Sequence, residues 1–72
     1  METNMNFLKG KIIEKGYTQE TFAKAIGMND STLSRRLKSS GSFTIEEVNK
    51  IINELGLTGS EALAIFFASL VA

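Results

Sequence analysis

The stretch YTQETFAKAIGMNDSTLSRRL, residues 17–37, decides the fold of this chain. Its first half places Phe22, Ala23 and Ile26 at positions i, i+1 and i+4, which lie on one face of a helix. Polar residues occupy most of the remaining positions, so the predicted helix is amphipathic. Gly27 follows Ile26 directly and is well placed to end the helix, because glycine readily adopts the left-handed conformation found at helix ends.

The second half of the stretch predicts another amphipathic helix. Leu33 and Leu37 are four residues apart and form its inward face. Either Asn29 or Asp30 can cap its start, since both side chains accept hydrogen bonds from free backbone amides. Only Gly-Met-Asn-Asp separates the two helices. Two amphipathic helices joined by such a short, glycine-containing turn are the signature of a helix-turn-helix, here at about residues 18–38.

Threonines mark the starts of three predicted helices. Thr18 is a good N-cap for the helix that begins the motif. Further along the chain, Thr44 with Glu47 and Thr58 with Glu61 have the T-x-x-E spacing of a capping box. In such a box the threonine side chain and the glutamate side chain each satisfy a backbone amide at the helix start. The sequence therefore predicts two more helices after residue 44.

The remaining helix lies at the N-terminus, where the spacing of Leu8 and Ile12 predicts an inward face and Gly16 a stop. The sum is an all-α chain, a single five-helix domain over residues 1–72, whose last, apolar helix runs from about 59 to 70. The predicted core residues share helical spacing and apolar side chains; they are Leu8, Ile12, Phe22, Ala23, Ile26, Leu33, Leu37, Val48, Ile51, Ile52 and Leu55.

Composition argues against catalysis. The chain has 72 residues and contains no cysteine, histidine or tryptophan. The usual zinc ligands and the usual general acid–base residue are therefore missing. No Gly-rich phosphate loop or paired-carboxylate spacing is visible. We expect a protein that is not an enzyme, with no cofactor, no metal and no small-molecule substrate.

The charges balance overall but are unevenly distributed. Lysine plus arginine is 8 and aspartate plus glutamate is 8, so the net charge is zero. Residues 1–38 contain seven cations and four anions, a net charge of +3, whereas residues 39–72 contain one cation and four anions, a net charge of −3. A dedicated nucleic-acid-binding protein is usually strongly basic overall. This chain is instead neutral overall, and its two halves carry opposite net charges.

The C-terminal stretch ALAIFFASLVA, residues 62–72, has no charge. It is too short to span a membrane, which takes about 20 residues. A helix packed on one side needs one apolar stripe, and this stretch offers two. The first consists of Leu63, Phe66, Phe67 and Leu70, and the second of Ala62, Ile65 and Ala72. We expect one stripe to dock on the domain, and the other, with one of the two phenylalanines, to meet another protein chain.

The chain resembles the helix-turn-helix family of phage repressors and Cro-type regulators. The pairs TQ, FA and IG, then STLSRRL, and a later helix ending in INELGL match that family at its spacing, over residues 6 to about 57. In size and tail the chain is similar to a subset of that family, the small modulator-of-repression antirepressors of temperate phages of Gram-positive bacteria. The resemblance implies the phage-repressor fold and a protein acting in the cytoplasm of a bacterial host cell.

The resemblance also implies an activity and a partner. An antirepressor binds the phage's own repressor protein and stops it from holding its operators, so that lytic genes are expressed. Zero net charge, the acidic C-terminal half and the two-faced apolar tail favour this interpretation, because a repressor's DNA-binding surface must be positive. The candidate partner-binding residues are aromatic, aliphatic or acidic: Phe66, Phe67, Leu70, Glu20, Asp30, Glu47 and Glu61.

The same family places DNA contacts on the motif. The resemblance implies that Gln19 meets the DNA backbone and that the positions of Asp30, Ser31, Ser34 and Arg35 point toward base edges. Arginine can bind guanine bidentately, and serine and lysine side chains can hold phosphates. The candidate DNA-binding residues are therefore Gln19, Asp30, Ser31, Ser34, Arg35 and Lys38.

Asp30 departs from the family pattern, where a neutral amide is common. A carboxylate at a helix start is an ordinary cap, but it also repels phosphate, so we expect operator binding by the protein alone to be weak. The alternative function is a Cro-like regulator that binds operator DNA directly and uses its tail to form a symmetric dimer. A toxin–antitoxin or other structural partner also fits the fold, although no specific residue favours it.

Overall fold

The computed structural model describes residues 4–38 and 43–67, and in these two ranges it is all-helical, with no strand. Five helices follow one another along the chain. Their bounds are α1 Met5–Glu14, α2 Gln19–Ala25, α3 Asp30–Lys38, α4 Ile45–Leu55 and α5 Gly59–Phe66. The prediction of an all-α, five-helix chain is confirmed over the described residues.

Each of the three predicted threonine caps is confirmed. The side chains of Thr18, Thr44 and Thr58 all accept a hydrogen bond from the backbone amide three residues later. Glu47 and Glu61 complete the boxes by accepting from the backbone amides of their threonines, at 2.8 and 2.9 Å. Because each box satisfies two otherwise unpaired amides, the starts of α4 and α5 are fixed by local sequence alone.

The turn between α2 and α3 is closed by backbone hydrogen bonds around a left-handed glycine. Gly27 has φ +70°, and its amide donates to the carbonyl of Lys24. The amide of Met28 donates to the carbonyl of Ala23 at 2.8 Å. This pair of bonds is the Schellman arrangement, in which a left-handed residue lets the chain reverse direction tightly. Gly27 therefore sets the short distance between α2 and α3.

Asn29, not Asp30, caps α3. The Asn29 side-chain oxygen accepts from the backbone amide of Ser31 at 2.9 Å and from its hydroxyl at 2.6 Å. The Asn29 carbonyl accepts the first helical hydrogen bond, from Leu33. Asp30 is consequently the first residue inside the helix, and the interpretation of Asp30 as the cap is wrong. Its carboxylate still lies at the positive end of the helix dipole.

One hydrophobic core draws on all five helices. The residues predicted on α1, α2 and α3 are buried as expected, and so are Ile51 and Leu55 of α4. Val48 and Ile52 are only partly buried and pack against the edge of the core. The full set of buried apolar residues is Leu8, Ile12, Phe22, Ala23, Ile26, Leu33, Leu37, Ile51, Leu55, Leu57, Ala62, Ile65 and Phe66.

The structure decides which of the two apolar stripes of α5 faces the core. Ala62, Ile65 and Phe66 are buried, whereas Leu63 is 49% exposed. The stripe of Ala62 and Ile65, together with Phe66, therefore docks on the domain, and Leu63 of the other stripe faces outward. The helix ends at Phe66 with Phe67 as its cap, short of the predicted residue 70. The predicted contributions of Leu70 and Ala72 lie outside the described residues.

Two contacts hold the C-terminal end of α5. The backbone amide of Asn4, which caps α1, donates to the carbonyl of Ile65 at 2.6 Å. On the other side, the ring of Phe66 meets the ring of Phe43 edge to face, with centroids 6.1 Å apart. The start of α1 and the start of α4 therefore both rest on the end of α5. No helix in the described part of the chain is long and apolar enough to cross a membrane.

Candidate functional site

The outer face of α3 presents polar side chains that the fold does not use for packing. Ser31, Arg35 and Lys38 are exposed, and Ser34 is half-buried. They lie opposite the buried Leu33 and Leu37, as their spacing requires. Together with Gln19 and Asp30 at the start of α2 and α3, these residues form the α3 surface: Gln19, Asp30, Ser31, Ser34, Arg35 and Lys38.

A neighbour within the helix orients Arg35. Its Nη2 atom donates to the Oγ1 atom of Thr32 at 3.3 Å. The bond ties the guanidinium of the exposed Arg35 to its own helix. Sequence reasoning missed Thr32, although its place three residues before Arg35 on a helix was the available signal.

A hydrogen bond across the turn joins Gln19 and Asp30. The Gln19 Nε2 atom donates to the Asp30 Oδ1 atom at 3.4 Å, near the outer limit for such a bond. Both side chains are exposed. The Gln19 amide partly satisfies one carboxylate oxygen of Asp30. The first residues of α2 and α3 therefore act as one polar unit on the α3 surface.

Arg36, the neighbour of Arg35, is used by the fold instead. Its guanidinium makes a short ion pair with the Oε1 atom of Glu47, the glutamate that also completes the capping box of α4. Both side chains are about four-fifths covered, with 24% and 20% exposed. Glu47, predicted as a partner-binding anion, therefore joins α3 to α4. Nothing in its local spacing revealed the pairing with Arg36.

Glu61 is also engaged within the chain. Its Oε2 atom lies 2.5 Å from the Nζ atom of Lys11, which is 2.9 Å from Glu14 as well. The hydrogen bond from Lys11, reinforced by the backbone amide of Thr58, lowers the pKa of Glu61 to about 2. The same carboxylates raise the pKa of Lys11. This predicted partner-binding anion thus ties α5 to α1.

The other acidic candidates remain accessible. Glu20 lies 3.9 Å from Lys24 on α2, and both side chains are largely exposed. Such an exposed pair at i, i+4 is worth only about 0.3–0.5 kcal/mol, so a partner can displace it easily. Asp30 has the Gln19 amide as its neighbour. Glu20 and Asp30 are therefore the predicted anions that stay available at the surface.

The two phenylalanines of the tail differ sharply. Phe66 is 3% exposed and belongs to the core, so its predicted role as a partner contact does not fit its position. Phe67 is half-buried against the edge of the core. It lies four residues after the exposed Leu63, and the two are adjacent on one side of α5. The apolar surface left on α5 is the Leu63 and Phe67 pair, and Leu70 lies outside the described residues.

The α3 surface carries charges of both signs. Arg35 and Lys38 make no ion pair with a described residue, and Asp30 opposes them with one negative charge. Among the described residues, no group of three or more side chains could hold a metal ion. The α3 surface therefore offers hydroxyl, amide, cationic and anionic groups, which can take part in hydrogen bonds and ion pairs.

A family model that matches nearly the whole chain identifies the family. The model of a family of proteins of unknown function, DUF739, matches residues 1–69. The chain belongs to this family. No curated protein and no solved structure matches it.

Proposed function

We propose that this DUF739 protein is a helix-turn-helix regulator of a phage genetic switch and acts as an antirepressor. It binds the phage's repressor protein and blocks operator binding, so that lytic genes are expressed. The observation that carries the proposal is the mixed charge of the α3 surface. In a protein that reads DNA with this surface we would expect a predominantly cationic face, yet here Asp30 lies among its polar residues.

The number of available cations argues for weak DNA binding by the protein alone. Arg36 is held by Glu47. Two cations, Arg35 and Lys38, then remain to neutralise phosphates on the α3 surface. Binding through two phosphate contacts would weaken only about tenfold between 50 and 200 mM salt, against about 10³–10⁵ for proteins that make 6–10 contacts. The electrostatic contribution is correspondingly small.

A repressor offers a better match for such a surface. Its own DNA-binding face must carry arginine and lysine, which Asp30 and Glu20 can pair with while Arg35 meets an acidic or polar group. Charge complementarity of this kind steers association and selects the partner. The exposed Leu63 and the half-buried Phe67 add apolar surface on α5, and apolar anchors commonly supply much of the affinity in protein interfaces.

The test is co-purification of the protein with the repressor encoded by the same phage, followed by operator binding in a gel-shift assay. We expect a stable complex that no longer retards operator DNA. Asp30→Lys should weaken the complex at least tenfold by reversing the charge, and Glu46→Lys on α4 is the matched control for charge reversal at another exposed acid. A repressor that binds its operator equally well with and without this protein would disprove the proposal.

Direct operator binding is the second candidate, and the hydrogen bond from Arg35 to Thr32 favours it. A guanidinium held in place is prepared for bidentate recognition of guanine. In this case Asp30→Gln should strengthen DNA binding by removing repulsion from phosphate. Nanomolar binding of one operator by the wild-type protein at physiological salt, with loss on Arg35→Gln, would establish this function over the first.

A further inference from the structure

A groove between α1 and α5 lies outside the α3 surface and shares no residue with it. Its volume is about 380 Å³, and its walls are Phe7, Gly10, Lys11, Glu14 and Glu61. The groove has an aromatic end and an acidic end. Phe7, which is 37% exposed, and Glu14 lie seven residues apart on the same face of α1. Two helical turns, about 10 Å, separate them.

Gly10 also lines this groove, and contacts with the described residues give no reason for a glycine there. Its φ is not in the left-handed region, and a methyl group added to it would meet no atom of the described residues within 4 Å. Glycine in a helix interior costs about 1 kcal/mol relative to alanine. The chain therefore bears this cost at a position where its own packing does not require it. A ligand group that enters the space beside residue 10 would explain why glycine is present there.

The acidic end of the groove has an excess of one negative charge. Lys11 lies between Glu14 and Glu61, 2.9 and 2.5 Å from their oxygens. One ammonium cannot neutralise two carboxylates, and the low pKa of Glu61 keeps that group ionised. The Glu14 side chain is 59% exposed, and Lys11 contacts its Oε2 atom. A cationic ligand is the complementary occupant.

We propose that this groove binds the side chain of an arginine from a protein partner. The guanidinium is planar and weakly hydrated, so its face can stack on the Phe7 ring while its edge donates two hydrogen bonds to the Glu14 carboxylate. The missing side chain at Gly10 leaves the passage between these two groups open. Lysine, a compact and strongly hydrated charge, could not make both contacts at once.

The proposal extends beyond the regulatory function and does not depend on it. Its direct test is a titration of the ¹⁵N-labelled protein with N-acetyl-arginine-N-methylamide, followed by NMR. We expect saturable shifts of the amide signals of Phe7, Gly10 and Glu14, in the millimolar range. The citrulline analogue keeps the shape without the charge, and the lysine analogue keeps the charge without the planar group. Both should bind at least fivefold more weakly.

Two variants separate this groove from general attraction of a cation to the surface. Gly10→Leu introduces a strong helix former whose side chain fills the groove. The melting temperature should therefore hold or rise, while the amide shifts caused by the arginine analogue vanish. Glu14→Gln should weaken binding at least fivefold. Glu46→Gln removes an exposed acid outside the groove and should change nothing. Unsaturated or scattered shifts, equal binding of the lysine analogue, or undiminished binding by Gly10→Leu would overturn the proposal.

Discussion

Helices α3 and α5 differ in which of their side chains are buried or paired within the fold. Helix α3 buries Leu33 and Leu37 and gives up one charged residue, Arg36, to pairing with α4. The other polar side chains of α3 remain at the protein surface. Helix α5 is far more apolar and was the more obvious partner surface by composition, yet Phe66 fills the core and Glu61 pairs with α1.

The difference shows what decides whether a surface is free for a partner. Apolar composition alone does not decide this, because many apolar residues of short helices are buried in the protein's own core. Polar residues that the fold leaves unused are more informative. On α3 these residues are contiguous, whereas on α5 the available apolar surface narrows to Leu63 and Phe67.

The largest expected effect lies on α5. Phe66→Ala removes a buried ring and its edge-to-face contact with Phe43, and should cost about 3–5 kcal/mol of unfolding free energy. Phe67→Ala truncates a half-buried ring at the helix end and should cost about 1 kcal/mol or less. Urea denaturation of the two variants and the wild type measures both values.

The same pair of variants tests the proposed role of the remaining apolar surface. Under the antirepressor hypothesis, Phe67→Ala should fold and still lose affinity for the repressor. Leu63→Ala, on the same side of α5, is a companion variant that should behave alike. Equal stability losses for Phe66→Ala and Phe67→Ala would contradict the contrast between a core ring and a surface ring.

The sequence predicted well what local chemistry controls. The boxes of Thr44 with Glu47 and Thr58 with Glu61 are confirmed because each needs only residues three apart. The stop at Gly27 is confirmed for a similar reason. The inward stripes of α1, α2 and α3 were also correct, since each of those helices has one apolar face that can be told from a polar one.

The errors arise where more than one arrangement satisfies the local rules. Helix α5 is apolar nearly all round, so the spacing of its apolar residues could not show which stripe is buried, and in the folded core Ile65 is buried whereas Leu63 is exposed. The cap of α3 was ambiguous for the same reason, since Asn29 and Asp30 are both good caps. The pairs of Arg36 with Glu47 and Lys11 with Glu61 join residues distant in sequence, and no spacing rule predicts them.

The adjacent residues Arg35 and Arg36 allow a structural charge and an available charge to be compared within one helix. Arg36→Gln breaks the mostly covered ion pair with Glu47 and should cost about 1–2 kcal/mol of unfolding free energy, between an exposed and a buried pair. Arg35→Gln should change stability by about 0.5 kcal/mol or less. Chemical denaturation gives both values, and Arg35→Gln should instead reduce binding of repressor or operator. A reversal of the two stability effects would remove the distinction between structural and available charge.

The start of α4 links the two regions, because Glu47 faces α3 and Phe43 faces α5. Thr44→Ala removes the side chain that caps α4 and should cost about 1 kcal/mol. Thr58→Ala, at the start of α5, removes an equivalent cap and should cost a similar amount. Thr44→Ser keeps the hydroxyl and is the control. Thermal unfolding that shows no loss for Thr44→Ala would mean that the box does not stabilise the helix start.

The smallest expected effect is the pH dependence of the contact between α5 and α1. The pKa of Glu61 is about 2 in the folded protein, below its ordinary value of 4.5. A carboxyl group whose folded pKa is lowered contributes stability that is present above its unfolded pKa and is lost as the pH falls through the folded one. Glu61→Gln can still complete the capping box with Thr58, but it has no charge for Lys11. The wild type should therefore have the higher melting temperature at pH 6, and its advantage should shrink between about pH 5 and pH 2. An advantage that persists unchanged at pH 2 would mean that the ion pair does not contribute, and that Glu61 serves α5 through its cap alone.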